Sequence, residues 1–324
     1  MSRMLVIGAS ILLAACGVRA QPGSASAAGA RTGTHEVALN GVRHWFRVAG
    51  AAVATPEPVV FLHGGPGQGS VHFAELTGPL LEPSLRMVYF DQRASGRSDP
   101  SPDGVYTLPM LVADVEALRQ RLGAPRIALI GQSFGGTLAL EYAATYPEHV
   151  SALVFVAGLW DIAVQCRLRN RTLAERAPAA YERVRVDAEG ARRDQCLEFS
   201  AFENEQDFAA YSDAIMFPDS TVRLRMEAVE RAHGYDNSGA LGGGLFRSGL
   251  GTYGFDATER LTMPVLVIAG RHDGTARAEG LRTLADRLPD ATFVEYPESG
   301  HFVYLDEPER FVRDVVEFLR RAQE

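Results

Sequence analysis

Residues 126–136 read RIALIGQSFGG, and the organisation of the chain can be worked out from this stretch. A short apolar run leads into the pattern G-x-S-x-G, and a helical pattern follows without a gap. A strand, a tight turn and a helix in this order predict that Ser133 lies on a strained turn, where it is a candidate nucleophile. Gly131 and Gly135 would let the strand and the helix pass closely, and the N–H of Phe134 is a candidate donor to an oxyanion. The alternative is an ordinary glycine turn with a solvated serine.

Composition limits what the chain can do. It has 324 residues, 46% of them hydrophobic and 22% charged, which suits one large α/β domain with an insertion. The net charge of −8 gives no basic surface of the kind that binds nucleic acid, so we expect no nucleic-acid partner. All 32 basic residues are arginine, which excludes lysine-dependent chemistry such as a Schiff base or a P-loop. Neither a dinucleotide fingerprint nor a metal-type spacing occurs, so no cofactor and no metal are expected.

The amino terminus has the pattern of a targeting segment. Residues 1–15 are predicted to be a signal peptide, with a positive charge at Arg3 and an apolar run too short to span a bilayer. This run ends in LAACG, which looks like a bacterial lipobox and would place a lipid on Cys16. Residues 16–34, rich in Gly, Ser and Ala, are predicted to be a flexible tether. We therefore expect an exported protein of the bacterial cell envelope, held at a membrane by that lipid. The alternative is an ordinary signal peptide that happens to contain a cysteine.

Export leaves two further cysteines, Cys166 and Cys196, in an oxidising compartment. We predict that they form a disulfide. The bond would close a loop of 30 residues and stabilise the fold by about 3–4 kcal/mol in the chain-entropy model. The alternative is a pair of buried free thiols.

Short apolar strands alternate with helical patterns along most of the chain, which predicts a parallel sheet covered on both faces. The predicted elements are a hairpin at 35–48, strands at 59–62, 87–90, 127–130, 152–156, 265–269 and 292–296, and helices at 108–122, 276–288 and 307–321. Residues 158–257 break the alternation and are predicted to form a mainly helical cap over the strand ends. The cap ends in a glycine-rich run, 239–254, which we expect to be a mobile or closely approached loop. The core is then 35–157 and 258–324.

Three potential catalytic residues follow the carboxyl ends of separate predicted strands, where ligand sites of such sheets lie. They are Ser133, Asp273 and His301. In this interpretation His301 accepts the serine proton, and Asp273 orients the imidazole and stabilises its charged form. A second oxyanion donor is expected from the glycine loop after the 59–62 strand, and we favour Gly65. For each residue taken singly there is an alternative, a turn residue for Asp273 and a helix-capping or core histidine for His301.

Three spaced motifs resemble those of one family. HGGPG at 63–67, DQRASGRS at 91–98 and GQSFGG at 131–136 are similar to the prolyl aminopeptidase (proline iminopeptidase) family of α/β-hydrolases. The resemblance implies an α/β-hydrolase fold, with a mostly parallel central sheet and an inserted helical cap. It also implies a serine aminopeptidase that releases proline or another small or apolar residue through an acyl-enzyme. Two positions depart from the family pattern: Ala94 replaces a glycine, and Phe134 stands where many prolyl enzymes have tryptophan.

The resemblance also implies a carboxylate for the substrate's terminal ammonium. The segment AFENE at 201–205 is similar to a Glu-Asn motif in the family's cap, which makes Glu203 the candidate, with Glu227 or Glu230 as a second carboxylate. The alternative for Glu203 is a solvated helix face. Four cap aromatics are candidates for an apolar slot or for plain core: Phe202, Phe208, Tyr211 and Phe217.

Three functional hypotheses follow. The first is a serine aminopeptidase whose partner is a peptide with a free amino terminus. The second is an exported esterase or amidase of the same fold without selectivity for a free amine. The third is an inert envelope lipoprotein that binds a ligand, which the complete Ser133–Asp273–His301 set disfavours. The sequence gives no indication of the oligomeric state.

Overall fold

The structure is a computed structural model that describes residues 30–50, 57–189, 195–235 and 237–322. The predicted signal peptide, Cys16 and most of the predicted tether lie outside the described residues. Within the described part of the chain, none of the helices combines the length and the apolar character needed to cross a membrane.

Eight strands form one sheet. They are β1 Gly33–Leu39, β2 Val42–Ala49, β3 Val59–Leu62, β4 Met87–Phe90, β5 Ile127–Gln132, β6 Val150–Val156, β7 Val265–Gly270 and β8 Ala291–Tyr296. Their order in space is β1-β2-β4-β3-β5-β6-β7-β8, with β2 antiparallel to both of its neighbours and all other pairs parallel. Every residue of β3 to β7 is buried, as expected for a sheet covered on both faces.

The helices fall into two groups along the chain. They are α1 Gly78–Leu81, α2 Leu108–Leu122, α3 Phe134–Thr145, α4 Ile162–Arg176, α5 Pro178–Glu189, α6 Glu198–Ala201, α7 Glu205–Met216, α8 Ser220–Ala232, α9 Ala240–Arg247, α10 Ala278–Ala285, α11 Val303–Asp306 and α12 Pro308–Arg321. A π-helix, Phe73–Thr77, leads into α1. Helices α4 to α9 all lie between β6 and β7, in the segment predicted to be the cap, and the remaining helices alternate with the strands.

The strand predictions agree well with these bounds. The strands predicted at 59–62 and 87–90 and the helix at 108–122 have the predicted ends. The helix predicted at 276–288 is shorter, and the π-helix with α1 was not predicted. In the hairpin, Asn40 and Gly41 both have positive φ, 48° and 79°, as a two-residue turn of the primed type requires.

The prediction of a loop at 239–254 is wrong over half its length, because α9 occupies 240–247. Leu241 and Leu245, four residues apart, are buried on one face of this helix. A Cβ added to Gly244 would lie 2.4 Å from the Tyr106 ring. Burial of one face therefore overcomes the low helix propensity of the glycines, and the expected close approach occurs at Gly244.

A buried ion pair fixes the loop that follows β4. The Arg93 guanidinium donates to both carboxylate oxygens of Asp114 at 2.6 and 2.7 Å, and to the Ser101 hydroxyl at 2.9 Å. Burial alone would raise the pKa of Asp114, but the His44 ring, 3.3 Å away, and the Arg93 guanidinium hold that pKa below its usual value. Ala94, in the same loop, has φ 54°, a left-handed conformation that favours the glycine usual in the resembled family.

Candidate active site

Ser133 lies on the turn between β5 and α3 with φ 54° and ψ −122°, a strained conformation for a residue other than glycine. The chain is packed so closely on either side of Ser133 that Gly131 and Gly135 have no room for a side chain. A Cβ on Gly131 would lie 2.5 Å from the carbonyl oxygen of Gly135, and a Cβ on Gly135 would lie 2.0 Å from that of Leu62. Neither position admits a side chain, so the G-x-S-x-G pattern follows from the close approach of β5, α3 and β3.

His301 and Asp273 are joined directly. The two side chains are buried, and His301 Nδ1 lies 2.8 Å from Asp273 Oδ2. The other carboxylate oxygen of Asp273 accepts from the backbone N–H groups of Thr275 and Ala276, at 2.7 and 2.9 Å. Because a carboxylate can only accept, Nδ1 carries the proton and Nε2 of His301 is left as the basic nitrogen.

The carboxyl end of α7 contacts the loops that carry both residues. The N–H of Gly274 donates to the carbonyl of Ile215 at 2.8 Å, and the N–H of His301 donates to the carbonyl of Met216 at 2.9 Å. Carbonyls at the end of a helix lack partners within the helix, so they are available for such contacts. The segment predicted to be a cap therefore helps to position Asp273 and His301, which the sequence did not predict.

A carboxylate next to the histidine loop has a perturbed pKa. Asp306 accepts from the N–H of Gly300 at 2.8 Å, which fixes the residue before His301. Burial, together with the neighbouring negative charges of Asp219 and Glu307, raises the pKa of Asp306 to about 6.

Ser133 and His301 both line one cavity of about 380 Å³. Its wall is mostly apolar and includes Leu159, Ile162, Phe199, Phe208, Phe246 and Phe302. Asp273 lies behind His301 and is not among the residues that line the cavity. Within the described residues the Ser133 hydroxyl makes no hydrogen bond of its own. The hydrogen bond between a serine hydroxyl and its general base is often long in an unliganded enzyme and shortens when substrate binds.

The two predicted oxyanion donors, Gly65 and Phe134, line the same cavity. Among the described residues, neither backbone N–H has an acceptor. The glycines of the loop are again set by space, because a Cβ on Gly64 would lie 2.9 Å from the Cβ of Ser133. Gly65 has φ 113°, which is strained for any other residue.

A buried neutral histidine ties this glycine loop to the loop after β4. His63 Nδ1 lies 2.9 Å from the carbonyl of Gly64, and its Nε2 accepts from the N–H of Gln92 at 3.1 Å. The Gln92 side chain donates back to the His63 carbonyl at 2.8 Å. Burial lowers the pKa of His63 to about 4, so the ring is neutral at pH 7 and can donate from Nδ1 while accepting at Nε2. The first two sequence motifs therefore form one hydrogen-bonded unit.

Residues 57–308 match the family model for the alpha/beta hydrolase fold. This chain belongs to the alpha/beta hydrolase fold family. The hydrolase is 28% identical over 274 residues to a proline iminopeptidase of Lactiplantibacillus plantarum, covering 83% of this chain and 94% of the relative. It is also 29% identical over 288 residues to a putative 2-succinyl-6-hydroxy-2,4-cyclohexadiene-1-carboxylate synthase of Bacillus subtilis, covering 86% and 96%.

A solved structure is similar over nearly the whole hydrolase. The crystal structure of a proline iminopeptidase-related protein from Thermus thermophilus superposes with a TM-score of 0.73 at 27% identity, covering 91% of this chain and 99% of that one. These comparisons confirm the predicted fold class and the resemblance to proline iminopeptidases.

The structure does not bring the predicted ammonium-binding carboxylates to the cavity. Glu203 is exposed, two residues before α7, and is not among the lining residues. Glu227 pairs with arginines of its own helix, and Glu230 accepts from His72 Nε2 at 2.8 Å. Among the described residues that line the cavity, none is a carboxylate. The geometry therefore gives no support to an ammonium site at Glu203.

Several lining residues had not been predicted. Of the four predicted cap aromatics only Phe208 lines the cavity, and Phe217 stacks on Phe302 with ring centroids 4.9 Å apart. Phe199 and Phe246 line the cavity but are 61% and 51% exposed, so they lie at its mouth. No local pattern distinguishes these side chains from the other aromatics of the helical segment.

A disulfide joins Cys166 of α4 to Cys196, with Cα atoms 4.4 Å apart. The Asn170 side chain, one turn further along α4, donates to the carbonyl of Gln195 and accepts from the N–H of Leu197, both at 2.9 Å. The segment leading into α6 is therefore held on α4 at three consecutive residues.

Proposed function

We propose that this hydrolase is a serine aminopeptidase, which releases proline or another small or apolar residue from the amino terminus of short peptides. The observation that carries the proposal is the Asp273–His301 hydrogen bond behind a cavity that His301 and Ser133 both line. The similarity to proline iminopeptidases supports the substrate class.

Each residue has a role that its position allows. Ser133 Oγ attacks the carbonyl carbon of the first peptide bond, and its proton passes to Nε2 of His301. The N–H groups of Gly65 and Phe134 donate to the oxyanion that forms. His301 then protonates the departing amine, and the carbon–nitrogen bond breaks to leave an acyl-enzyme. Water, deprotonated by His301, attacks the acyl carbon. The bond to Ser133 Oγ then breaks, Oγ takes the proton back from His301, and the amino-terminal residue leaves, while Asp273 holds the imidazole in one tautomer throughout.

An esterase or amidase without free-amine selectivity is the second candidate. The absence of a carboxylate from the described cavity lining favours it, because the charge of a protonated amine in a mostly apolar cavity is best balanced by a carboxylate. A cavity with an apolar wall and one reactive hydroxyl needs no such partner for a neutral ester.

The deciding experiment compares three substrates: proline p-nitroanilide, its N-acetyl derivative and a p-nitrophenyl ester. An aminopeptidase cleaves the free anilide and loses most of that activity on acetylation. Cleavage of the ester alone, or equal rates for the free and acetylated anilides, would establish the second candidate instead. In the same assay, Glu203→Gln raises KM for the free anilide only if Glu203 meets the ammonium. An unchanged KM, which its exposed position favours, removes Glu203 from the site.

We also propose that residues 1–15 direct export and that a lipid on Cys16 holds the protein at a membrane of the cell envelope. The Cys166–Cys196 disulfide supports an oxidising compartment, since such bonds rarely persist in the cytosol. Full-length protein should incorporate labelled fatty acid and sediment with membranes, and Cys16→Ser should do neither. A wild-type protein without label would contradict the anchor.

A further inference from the structure

The cavity contains one side chain with a fixed charge that the proposed chemistry does not use. This side chain is Arg169 of α4. The other basic residue among the described residues that line the cavity is His301, which already has a role in the proposed reaction. The Arg169 side chain is 15% exposed and forms an ion pair with Glu198, the first residue of α6, which is 1% exposed.

This pair leaves hydrogen-bonding capacity unused. The ion pair brings Nη2 of Arg169 to Glu198, but in the described part of the chain neither the buried Nε of the guanidinium nor the two Glu198 carboxylate oxygens have a hydrogen-bond partner. A guanidinium has five N–H donors in a planar fork, and buried donors without acceptors are costly. An oxygen anion entering the cavity would give the guanidinium a further acceptor.

The guanidinium is also held in place. Its carbon lies 5.6 Å from the centroid of the Phe199 ring, at the mouth of the cavity. Glu198 follows Cys196 by two residues, and Cys196 is bonded to Cys166 one helical turn before Arg169. The disulfide therefore fixes Glu198 beside Arg169, and Glu198 acts as a positioning residue.

We propose that Arg169 binds a carboxylate of the substrate, and that the hydrolase prefers substrates with one anionic end within reach of Ser133. Planar, bidentate recognition of a carboxylate is what the guanidinium fork does best. The inference rests on the proposed function in using the same cavity and nucleophile. The carboxylate has two possible sources: the carboxyl terminus of a short peptide, or an acidic side chain on the released residue.

Matched pairs that differ only in charge distinguish these sources. Prolyl-alanine against prolyl-alanine amide tests the leaving side, and glutamyl against glutaminyl p-nitroanilide tests the released side. A p-nitrophenyl monoester of adipic acid, against its methyl ester, gives a pair that does not depend on peptidase activity. We expect at least one pair to favour the carboxylate by about tenfold or more in kcat/KM, mainly through KM.

The variant for this test is Arg169→Gln/Glu198→Gln, because removing Arg169 alone would leave Glu198 buried without a partner. The double variant should reduce the carboxylate preference to about one, and Arg169→Lys should retain part of it. Arg225→Gln, an exposed arginine of α8 that does not line the cavity, is the control and should keep the full preference.

Calorimetry with Ser133→Ala protein provides a readout that needs no turnover. Adipate should bind more tightly than dimethyl adipate, and the added Arg169→Gln/Glu198→Gln changes should remove the difference. Two results would overturn the proposal. One is equal kcat/KM and equal affinity for the charged and neutral members of every pair, and the other is a carboxylate preference that remains in the double variant. If only esters are cleaved, the aminopeptidase proposal fails while the adipate pair still decides the role of Arg169.

Discussion

The loops at the edge of the sheet are stabilised differently from the helices that lie between β6 and β7. Around Ser133 the loops are fixed by fully buried polar side chains, such as Arg93 with Asp114 and His63 with Gln92. The helical segment has its own small cluster of six buried apolar residues, Leu173, Ala180, Leu197, Ala201, Tyr211 and Ile215. One disulfide adds to this cluster.

The difference shows how the site divides its tasks. The proposed nucleophile, base and oxyanion donors lie on the loops of the sheet, where buried hydrogen bonds allow one geometry. The side chains that would meet the substrate, such as Arg169 and Phe199, lie on helices with a thinner core. Apart from the carboxyl end of α7, which holds the loops of Asp273 and His301, the reaction should therefore depend on the loops and the choice of substrate on the helices.

The largest expected effect comes from a substitution in a sheet loop that impairs the reaction and leaves the helices between β6 and β7 unchanged. Asp273→Asn keeps the shape of the side chain but lets His301 adopt the wrong tautomer. We expect kcat to fall by about 10⁴ for esters and anilides alike, with the thermal midpoint nearly unchanged. Rates within tenfold of wild type on both substrates would show that Asp273 has no such role.

The second test removes a buried charge from the loop framework. Asp114→Asn leaves Arg93 buried without its carboxylate, which should destabilise the fold by about 3–5 kcal/mol in urea unfolding. Glu317→Gln is the control, because Glu317 and Arg321 are 61% and 69% exposed, and the change should stay within about 0.5 kcal/mol. Similar losses of unfolding free energy in the two variants would show that burial does not determine how much an ion pair contributes to stability.

The third test loosens the helices and leaves the loops intact. Cys166→Ser/Cys196→Ser removes a crosslink over 30 residues and should reduce the free energy of unfolding by about 3 kcal/mol. Because Glu198 and Phe199 follow Cys196 closely, KM should rise more than kcat falls. The measurement is urea unfolding with steady-state kinetics on one anilide. A fall in kcat at constant KM would show that the disulfide supports the reaction centre instead.

The same contrast explains what the sequence could predict. Strands buried on both faces, such as β3 and β4, have continuous apolar runs, and their predicted ends agree with the structure. The glycines around Ser133 were predictable because close approach leaves no other choice. The partner of Arg93 was not, because Asp114 lies 21 residues away on α2 and nothing local connects them.

The helices between β6 and β7 were harder to predict for a physical reason. Their faces are set by tertiary contacts, so a glycine-rich stretch becomes α9 when Leu241 and Leu245 are buried. Glu203 matched a short motif, yet nothing in that motif fixes the direction of its side chain, and the structure leaves it exposed. Arg169 gave no signal at all, since no local pattern distinguishes it from the rest of the 32 arginines.

The last expected effect, which reaches its full size only at low pH, compares a loop histidine with a helix-end histidine. Burial lowers the pKa of His63 to about 4, below the value near 6.5 of an unfolded chain. Between pH 6.5 and 4, the unfolded state therefore binds a proton at His63 that the folded state does not bind. The resulting stability is complete above pH 6.5 and is lost as the pH falls towards 4, by up to about 3 kcal/mol.

Urea unfolding at several pH values between 7 and 4 measures this loss. In His63→Gln, the stability at pH 7 is lower, but the part of the slope that His63 contributes disappears. His233, which is exposed after α8, is the matched control, and His233→Gln should keep the wild-type slope. If the slope of His63→Gln equals that of wild type, His63 is not kept neutral by burial. Folded and unfolded chains would then bind the His63 proton equally well, and the Nε2 atom that accepts from Gln92 would be protonated near pH 6.5 instead of near pH 4.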